Sequence, residues 1–253
     1  MKFLTRIVLS TLFFATQISA MAQDVVPAYN TYQSVPFVVD AKSGLAADLV
    51  AYLNAKLKGK HVLELQSMPR ERLNQTVINS ADFKGVVLFL SPAFVGDADK
   101  KKFSWTPAIM QDGNEVISST NKKVEYSSPD AFKGASFVGI RGNKYAGLED
   151  KFGKDIKRTD TNTELMSLAM VAVERADFTI MAGSIYSYLL KVNGVSDGLN
   201  NKLHASATPH SKFDRFMFVA NNNSALAKDL SEIASGMPAD PAWKAILGKY
   251  GIK

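Results

Sequence analysis

The sequence contains no cysteine in its 253 residues. That absence excludes a thiol nucleophile, a thiolate metal site and any disulfide. Histidine is also scarce, and His61, His204 and His210 show neither H-E-x-x-H nor His-x-His spacing. We therefore expect no metal and no other cofactor. Without such cross-links, the fold must be stabilised by burial of its apolar core.

The chain also lacks runs of Lys and Arg interleaved with aromatic residues, although its formal net charge is +6. Grooves that bind nucleic acid combine both features. The densest basic cluster, residues 100–102, lies beside Asp97 and Asp99 and is typical of a solvated turn. We therefore predict a basic surface and no nucleic-acid partner.

Long apolar segments are missing too, apart from a short run at the N-terminus. Lys2 and Arg6 precede the apolar residues 7–15, and Ala20-Met21-Ala22 has the small-x-small pattern that signal peptidase cleaves. A membrane anchor is the alternative, but spanning a bilayer needs about 20 apolar residues. We predict a signal peptide over residues 1–22, cleavage after Ala22, a periplasmic location and no membrane insertion of the mature chain.

After the leader, hydrophobic periodicity predicts alternating strands and helices. Thr161 and Glu164 have the spacing of a capping box for one helix. This alternation indicates an α/β fold. The predicted strands are residues 24–28, 62–65, 85–90, 113–118, 135–140, 155–158, 178–181, 203–207 and 213–220, and the predicted helices are residues 45–57, 70–78, 164–175, 184–192, 224–235 and 241–249.

The chain contains two α/β cycles with no low-complexity linker between them. We interpret them as two lobes joined by chain crossings near residues 117–119 and 206–209. Lobe 1 would then comprise residues 23–118 and 209–253, and lobe 2 residues 119–208.

A series of short segments also follows a familiar order over almost the whole mature chain. Each segment is common, so the specificity lies in their order. The segments are Tyr32-x-x-x-Pro36-Phe37, Gly44-Leu-Ala-Ala-Asp48-Leu49, Pro69-Arg-Glu-Arg72-Leu73, Phe103-Ser104-x-x-Pro107, Gly113-Asn-Glu-Val-Ile117, Phe132-Lys-Gly134-x-x-x-Val138-Gly139, Gly142-x-x-Tyr145, Arg175-Ala-Asp177 and Trp243-Lys-Ala-Ile246-Leu247-Gly248-Lys249-Tyr250-Gly251.

In this order the sequence resembles the bacterial periplasmic solute-binding proteins of type II, family 3, the polar amino-acid type. The resemblance implies a monomeric two-lobed α/β fold with a ligand cleft between the lobes and two hinge crossings. It also implies a small-molecule solute as ligand, and an ABC transporter permease or a membrane sensor as partner.

The sequence departs from this family at two charged positions. The resemblance implies an Arg that holds the ligand carboxylate, but Asp97 stands there. It also implies an Asp that holds the ligand amino group, but Ala182 stands there. We therefore expect weak or absent binding of standard α-amino acids.

The remaining binding candidates lie where predicted strands end or helices begin, which is where α/β clefts bind ligands. Loop packing, helix capping or simple exposure is the alternative for each. We expect Arg72 and Tyr145, one from each lobe and neither in a core, to contact the solute. The candidates are Tyr29, Tyr32, Arg70, Arg72, Ser91, Asp112, Arg141, Asn143, Tyr145, Thr161, Thr163 and Ser184.

Three functions stay open from the sequence. We expect a binding protein that delivers a small polar or anionic solute. A degenerate binding lobe that acts through a protein partner is the alternative. An enzyme on the same scaffold is less favoured, because Glu164 and Asp112 are the only acids we place near the cleft and neither has a His partner.

Overall fold

The computed structural model describes residues 25–80 and 82–253, without the side chain of Lys154. The predicted signal peptide and its cleavage site lie outside these residues. The strands are β1 (Val25–Asn30), β2 (Val62–Ser67), β3 (Val86–Leu90), β4 (Ser104–Trp105), β5 (Met110–Ser119), β6 (Ser136–Ile140), β7 (Lys157–Thr161), β8 (Phe178–Ala182), β9 (Leu203–Ala205) and β10 (Ser211–Val219). The helices are α1 (Leu45–Leu57), α2 (Arg70–Leu73), α3 (Glu149–Phe152), α4 (Glu164–Ala172), α5 (Gly183–Asn193), α6 (Ser224–Gly236) and α7 (Pro241–Lys249).

Most predicted elements form because their apolar residues share one face. In α1, Leu45, Leu49 and Leu53 are fully buried, as their helical spacing predicts. The predicted bounds of α1 and α7 are both confirmed. In β3 all five residues are buried, as the continuous apolar run indicates for a strand covered on both faces.

Two predicted helices are wrong in detail. The helix expected over residues 70–78 is a single turn of α2 followed by a π-helical turn, Asn74–Ile78. The helix expected over residues 164–175 ends at Ala172, and its N-cap is Thr163 rather than Thr161. The hydroxyl of Thr163 accepts a hydrogen bond from the Met166 N–H at 3.2 Å, so no capping box forms between Thr161 and Glu164.

The described strands form one continuous hydrogen-bonded series with two similar parts, called the first and the second sheet. The first sheet has the order β2-β1-β3-β10 with β4 beside β10, and the second has the order β7-β6-β8-β5 with β9 beside β5. In the first sheet, β3 lies next to β10, which comes from the second half of the chain. In the second sheet, β8 lies next to β5, which comes from the first half. β5 and β10 pair antiparallel with each other from Asn114↔Ser211 to Met110↔Arg215, which joins the two sheets.

Separate hydrophobic clusters lie on either side of this junction. One cluster packs α1, α6 and α7 on β1 to β3 and includes Met110 and Trp243. Trp243 donates its indole N–H to the Ile109 carbonyl at 2.8 Å. Val116 and Ile117 belong to clusters built from β6, β8, α4 and α5. The predicted two-lobed α/β architecture is therefore confirmed.

The paired segment of β5 and β10 lies a few residues away from both crossings expected from the sequence. Residues 110–114 come before 117–119, and residues 211–215 come after 206–209. The exact lobe limits at residues 118 and 208 stay a prediction. No helix in the described part of the chain is long and apolar enough to cross a membrane.

Candidate functional site

Strand direction brings two polar edges towards the junction. β1, β2 and β3 run parallel, so their carboxyl ends share one edge, and the same holds for β6, β7 and β8. β10 runs antiparallel to β3, and β5 runs antiparallel to β8. The crossing strands therefore connect the two edges, and α/β folds bind ligands at such carboxyl ends. This places the candidate cleft between the two edges, with β5 and β10 at its base.

A buried ion pair occupies the base of this cleft. The Arg215 Nε and Nη2 atoms both lie 2.7 Å from Oδ2 of Asp112. Both side chains are only 2 % exposed. Arg215 also donates to the Phe89 carbonyl at 3.1 Å, at the end of β3. The pair thus connects both crossing strands to the first sheet.

Asp112 also binds Ser184, in the first turn of α5. The Ser184 N–H donates to Oδ1 at 3.1 Å, and the Ser184 hydroxyl donates to Oδ2 at 2.7 Å. These contacts satisfy the first turn of α5, where backbone N–H groups lack helical partners. Two predicted site residues, Asp112 and Ser184, are therefore brought together, but their polar atoms bind each other and Arg215.

Three aromatic rings enclose the Arg215 guanidinium. Its central carbon lies 4.4 Å from the ring centroid of Tyr32, 4.8 Å from that of Phe37 and 5.1 Å from that of Phe213. Such contacts stabilise a desolvated cation by about 2 kcal/mol or more. Phe89, whose carbonyl accepts from Arg215, has φ of +64° near the end of the buried strand β3. A strained backbone of this kind often marks a functional site.

Asp97 does not face the cleft as a substitute for the absent arginine. It is 2 % exposed, and its carboxylate accepts from the backbone N–H groups of Lys101, Lys102 and Phe103 and from the Trp105 indole. Burial alone would raise the pKa of this carboxyl, but these hydrogen bonds hold it below the ordinary value. Asp97 thus closes the turn before β4.

The three candidate arginines differ in their contacts. Arg70 is half-buried and donates to the Phe94 carbonyl and, at 2.8 Å, to Asn74. Burial lowers its pKa, while nearby Tyr32 raises it. Arg72 and Arg141 are exposed, and neither forms an ion pair with any residue in the ranges described. These two guanidinium groups, one from each half of the chain, are available to an anion.

The candidate tyrosines are packed rather than free. Tyr29 and Tyr32 are partly buried against the clusters of the first sheet, and Tyr32 stacks on Phe37 at 4.6 Å. The Tyr145 hydroxyl accepts from the Ile140 N–H at 2.9 Å. Its ring packs edge-on against Phe137 at 4.8 Å. The expectation that Tyr145 lies outside a core is therefore wrong.

The remaining candidates have mainly local contacts. Thr161 is 4 % exposed, and its hydroxyl hydrogen-bonds to Ser167 at 2.6 Å. Thr163 caps α4, and Asn143 is an exposed residue of the loop after β6. Ser91 is buried and lines a cavity of about 430 Å³ next to Phe213.

Sequence reasoning missed Arg215, the most buried charge at the junction. The signal was present, since an Arg stands inside the apolar run 213–220. A charged residue in such a run is almost never buried without a partner. Asp112 was a candidate, but its pairing with Arg215 depends on strand contacts between residues 103 positions apart.

Comparison with known proteins supports the fold. No family model matches the chain, and no curated protein matches its sequence. Among solved structures it is similar to a putative binding component of an ABC transporter from Wolinella succinogenes complexed with lysine. That similarity has a TM-score of 0.66 and 13 % identity, covering 90 % of this chain and 96 % of the other.

Two further structures show the range of proteins with this fold. An ancestral amino-acid-binding protein, described as a precursor of cyclohexadienyl dehydratase, matches with a TM-score of 0.60 at 13 % identity over 90 % of this chain and 95 % of that one. The periplasmic VFT2 domain of Bordetella pertussis BvgS matches with a TM-score of 0.57 at 15 % identity over 89 % and 93 %. The predicted type II, two-lobed solute-binding-protein fold is thus confirmed.

Proposed function

We propose that this protein is a periplasmic solute-binding protein that delivers a small polar or anionic solute to an ABC transporter or a membrane sensor. The observation that carries the proposal is the convergence of two strand edges on one pair of crossing strands. In this arrangement a solute contacts both lobes at once, so binding favours the closed form. A solute partner also agrees with what the lysine-complexed Wolinella protein binds.

The exposed guanidinium groups favour an anion. Arg72 follows β2 and Arg141 follows β6, so one cation stands at each edge. A hydrogen bond from Arg to a charged group contributes about 1.5–3 kcal/mol, or roughly tenfold to a hundredfold in affinity. A standard α-amino acid fits less well, because Asp97 is engaged within its own turn and Ala182 carries no charge.

The test begins with the molecule that the protein carries. Native protein is purified without refolding, denatured, and the released small molecules are identified by mass spectrometry. Calorimetry with the identified solute should then show that Arg72→Ala and Arg141→Ala each weaken binding about tenfold or more. Lys133→Ala, an exposed substitution in the second half of the chain, serves as the control. Unchanged affinity in both arginine variants would contradict an anion site between the edges.

A second candidate function rests on the buried ion pair. Arg215 fills the aromatic enclosure at the cleft base with a cation from the chain itself, which leaves less room for a solute. A degenerate binding lobe that acts through a protein partner would have this property. A broad solute panel in which no compound raises the melting temperature would favour this second function.

An enzymatic function is supported by fewer observations. The dehydratase precursor has the same fold, but the Asp112 carboxylate already accepts hydrogen bonds from Arg215 and Ser184 within the protein. Incubation with the solute identified by mass spectrometry, followed by product analysis, distinguishes turnover from binding.

A further inference from the structure

A cavity with polar side chains in its lining lies against the crossing strands β5 and β10, beside α5 and the C-terminal residues. Its volume is about 340 Å³, enough for a small organic molecule. Its lining includes Glu115 of β5, Tyr186 of α5, Lys212 of β10 and the C-terminal Lys253. Of the twelve predicted cleft residues, only Asp112 and Ser184 also line this cavity.

Glu115 is the unusual group in this cavity. Its side chain is half-buried, yet no hydrogen bond or ion pair joins it to any residue described. Burial raises the pKa of its carboxyl, and the negative charge of Asp112 raises it further, whereas Lys212 lowers it. Asp112 differs, because its oxygens are already bound by Arg215 and Ser184. Glu115 is therefore a carboxylate that still needs a donor.

Tyr186 adds a second polar group beside this carboxylate. Burial, followed by the charge of Glu115, raises the pKa of Tyr186 to about 12. Its hydroxyl therefore stays protonated at neutral pH, and it has no hydrogen-bond partner within the described ranges. Gly183 keeps the space open, because a Cβ there would lie 3.2 Å from Oε1 of Glu115.

We propose that this cavity binds a small organic cation through a primary ammonium group held by Glu115. An ammonium supplies the donors that the carboxylate lacks, and one of its N–H groups can reach the Tyr186 hydroxyl. A metal ion fits poorly, since the described residues contain no cluster of three His, Cys, Asp or Glu side chains that could hold one. An α-amino acid also fits poorly, because its carboxylate would lie close to Glu115 and Asp112.

This cavity shares Asp112 and Ser184 with the proposed solute cleft but includes neither Arg72 nor Arg141, so each proposal can fail without the other. Calorimetry with n-butylammonium tests the cavity directly, with 1-butanol and butyrate as uncharged and anionic probes of similar size. We expect binding of n-butylammonium alone. Glu115→Gln should weaken that binding about tenfold or more. Glu64→Gln, an exposed substitution of the same kind on β2, should leave it unchanged.

Removing the charge of Lys212 should change the affinity for n-butylammonium in the opposite direction. This exposed cation lines the cavity and repels an ammonium, so Lys212→Gln should tighten n-butylammonium binding about twofold to fivefold. Lys244→Gln removes the same charge from an exposed position on α7 and should have no effect. Thermal melts of each variant establish that it is folded.

The pH dependence is a further readout. The groups that face Glu115 are Asp112 on its own strand, Lys212 on β10 and Tyr186 on α5, and the C-terminal Lys253 also lines the cavity. Because the ammonium needs the ionised carboxylate, affinity should fall as the pH drops through the raised pKa of Glu115. The proposal is overturned if n-butylammonium does not bind the wild-type protein, or if it binds Glu115→Gln as tightly.

Discussion

Removing Asp112 tests how the two lobes are held at their junction. In Asp112→Ala, the Arg215 guanidinium stays buried and keeps only the Phe89 carbonyl and its three aromatic neighbours. Breaking a buried ion pair by removing one partner costs about 3–5 kcal/mol, because an uncompensated charge remains. The Ser184 hydroxyl and N–H also lose their acceptor. We therefore expect the free energy of unfolding to fall by at least about 3 kcal/mol.

For a chain of this size, about 1 kcal/mol corresponds to a shift of about 2–4 °C in melting temperature, so Asp112→Ala should melt at least about 6 °C lower. The double variant Asp112→Ala/Arg215→Met removes both charges and should be more stable than Asp112→Ala alone. Differential scanning calorimetry and urea titration measure both quantities. Added salt should change the difference little, since a buried pair is poorly screened.

Asp99→Ala is the matched control, because the Asp99–Lys101 pair is exposed, with side chains 60 % and 83 % accessible. We expect that substitution to change stability by less than about 1 kcal/mol. The reasoning is refuted if Asp112→Ala is as stable as Asp99→Ala, or if the double variant is destabilised by the sum of its two single substitutions. Additivity would mean that the two charges do not interact in the folded protein.

Three further predictions concern Asp97, Tyr145 and the binding of amino acids. Asp97→Ala should cost at least about 2 kcal/mol, because it leaves the backbone and indole donors of this turn without an acceptor. Because the pKa of Asp97 is lowered in the folded protein, its contribution to stability is complete above about pH 4 and is lost as the pH falls through that pKa. The free energies of unfolding of the wild type and Asp97→Ala, measured by urea titration, should therefore converge in acid. Tyr145→Phe should lower the free energy of unfolding by about 0.5–1.5 kcal/mol, because it removes the hydrogen bond with Ile140. Tyr145→Ala should lower it further, because the ring packs on Phe137. Equal melting temperatures for the wild type and both variants would show that neither contact stabilises the fold. Standard α-amino acids should give weak or no heat in calorimetry, and a clear micromolar response to any of them would contradict the loss of the charge clamp at Asp97 and Ala182.

Local pattern was enough to predict most elements of the fold. The apolar spacing of α1 and the Pro and Gly signals around α7 define elements whose formation depends on nearby residues. The π-helical turn at 74–78 was not predictable, because apolar spacing does not distinguish a π turn from the end of an α-helix.

The candidate site was less predictable, because it depends on contacts between distant strands. Asp112 and Ser184 were identified from their places at strand and helix ends, and they do lie together. Arg215 was hidden in an apolar strand, and nothing local indicated that its charge would be neutralised by residue 112. The sequence pattern around Glu115 predicts only an ordinary strand, because the cavity beside it is formed by α5 and the last residues of the chain.

The position of Trp243 bears on the order in which the chain acquires its structure. The clusters around β6 and β8 are built from one continuous stretch of sequence, so they can consolidate once that stretch has been made. The first cluster needs Trp243, which packs with residues of β1 and α1 and hydrogen-bonds to Ile109, 134 positions before it. We therefore expect amide protons in the middle of the sequence to gain protection from exchange before those of β1 and α1, although β1 is synthesised first.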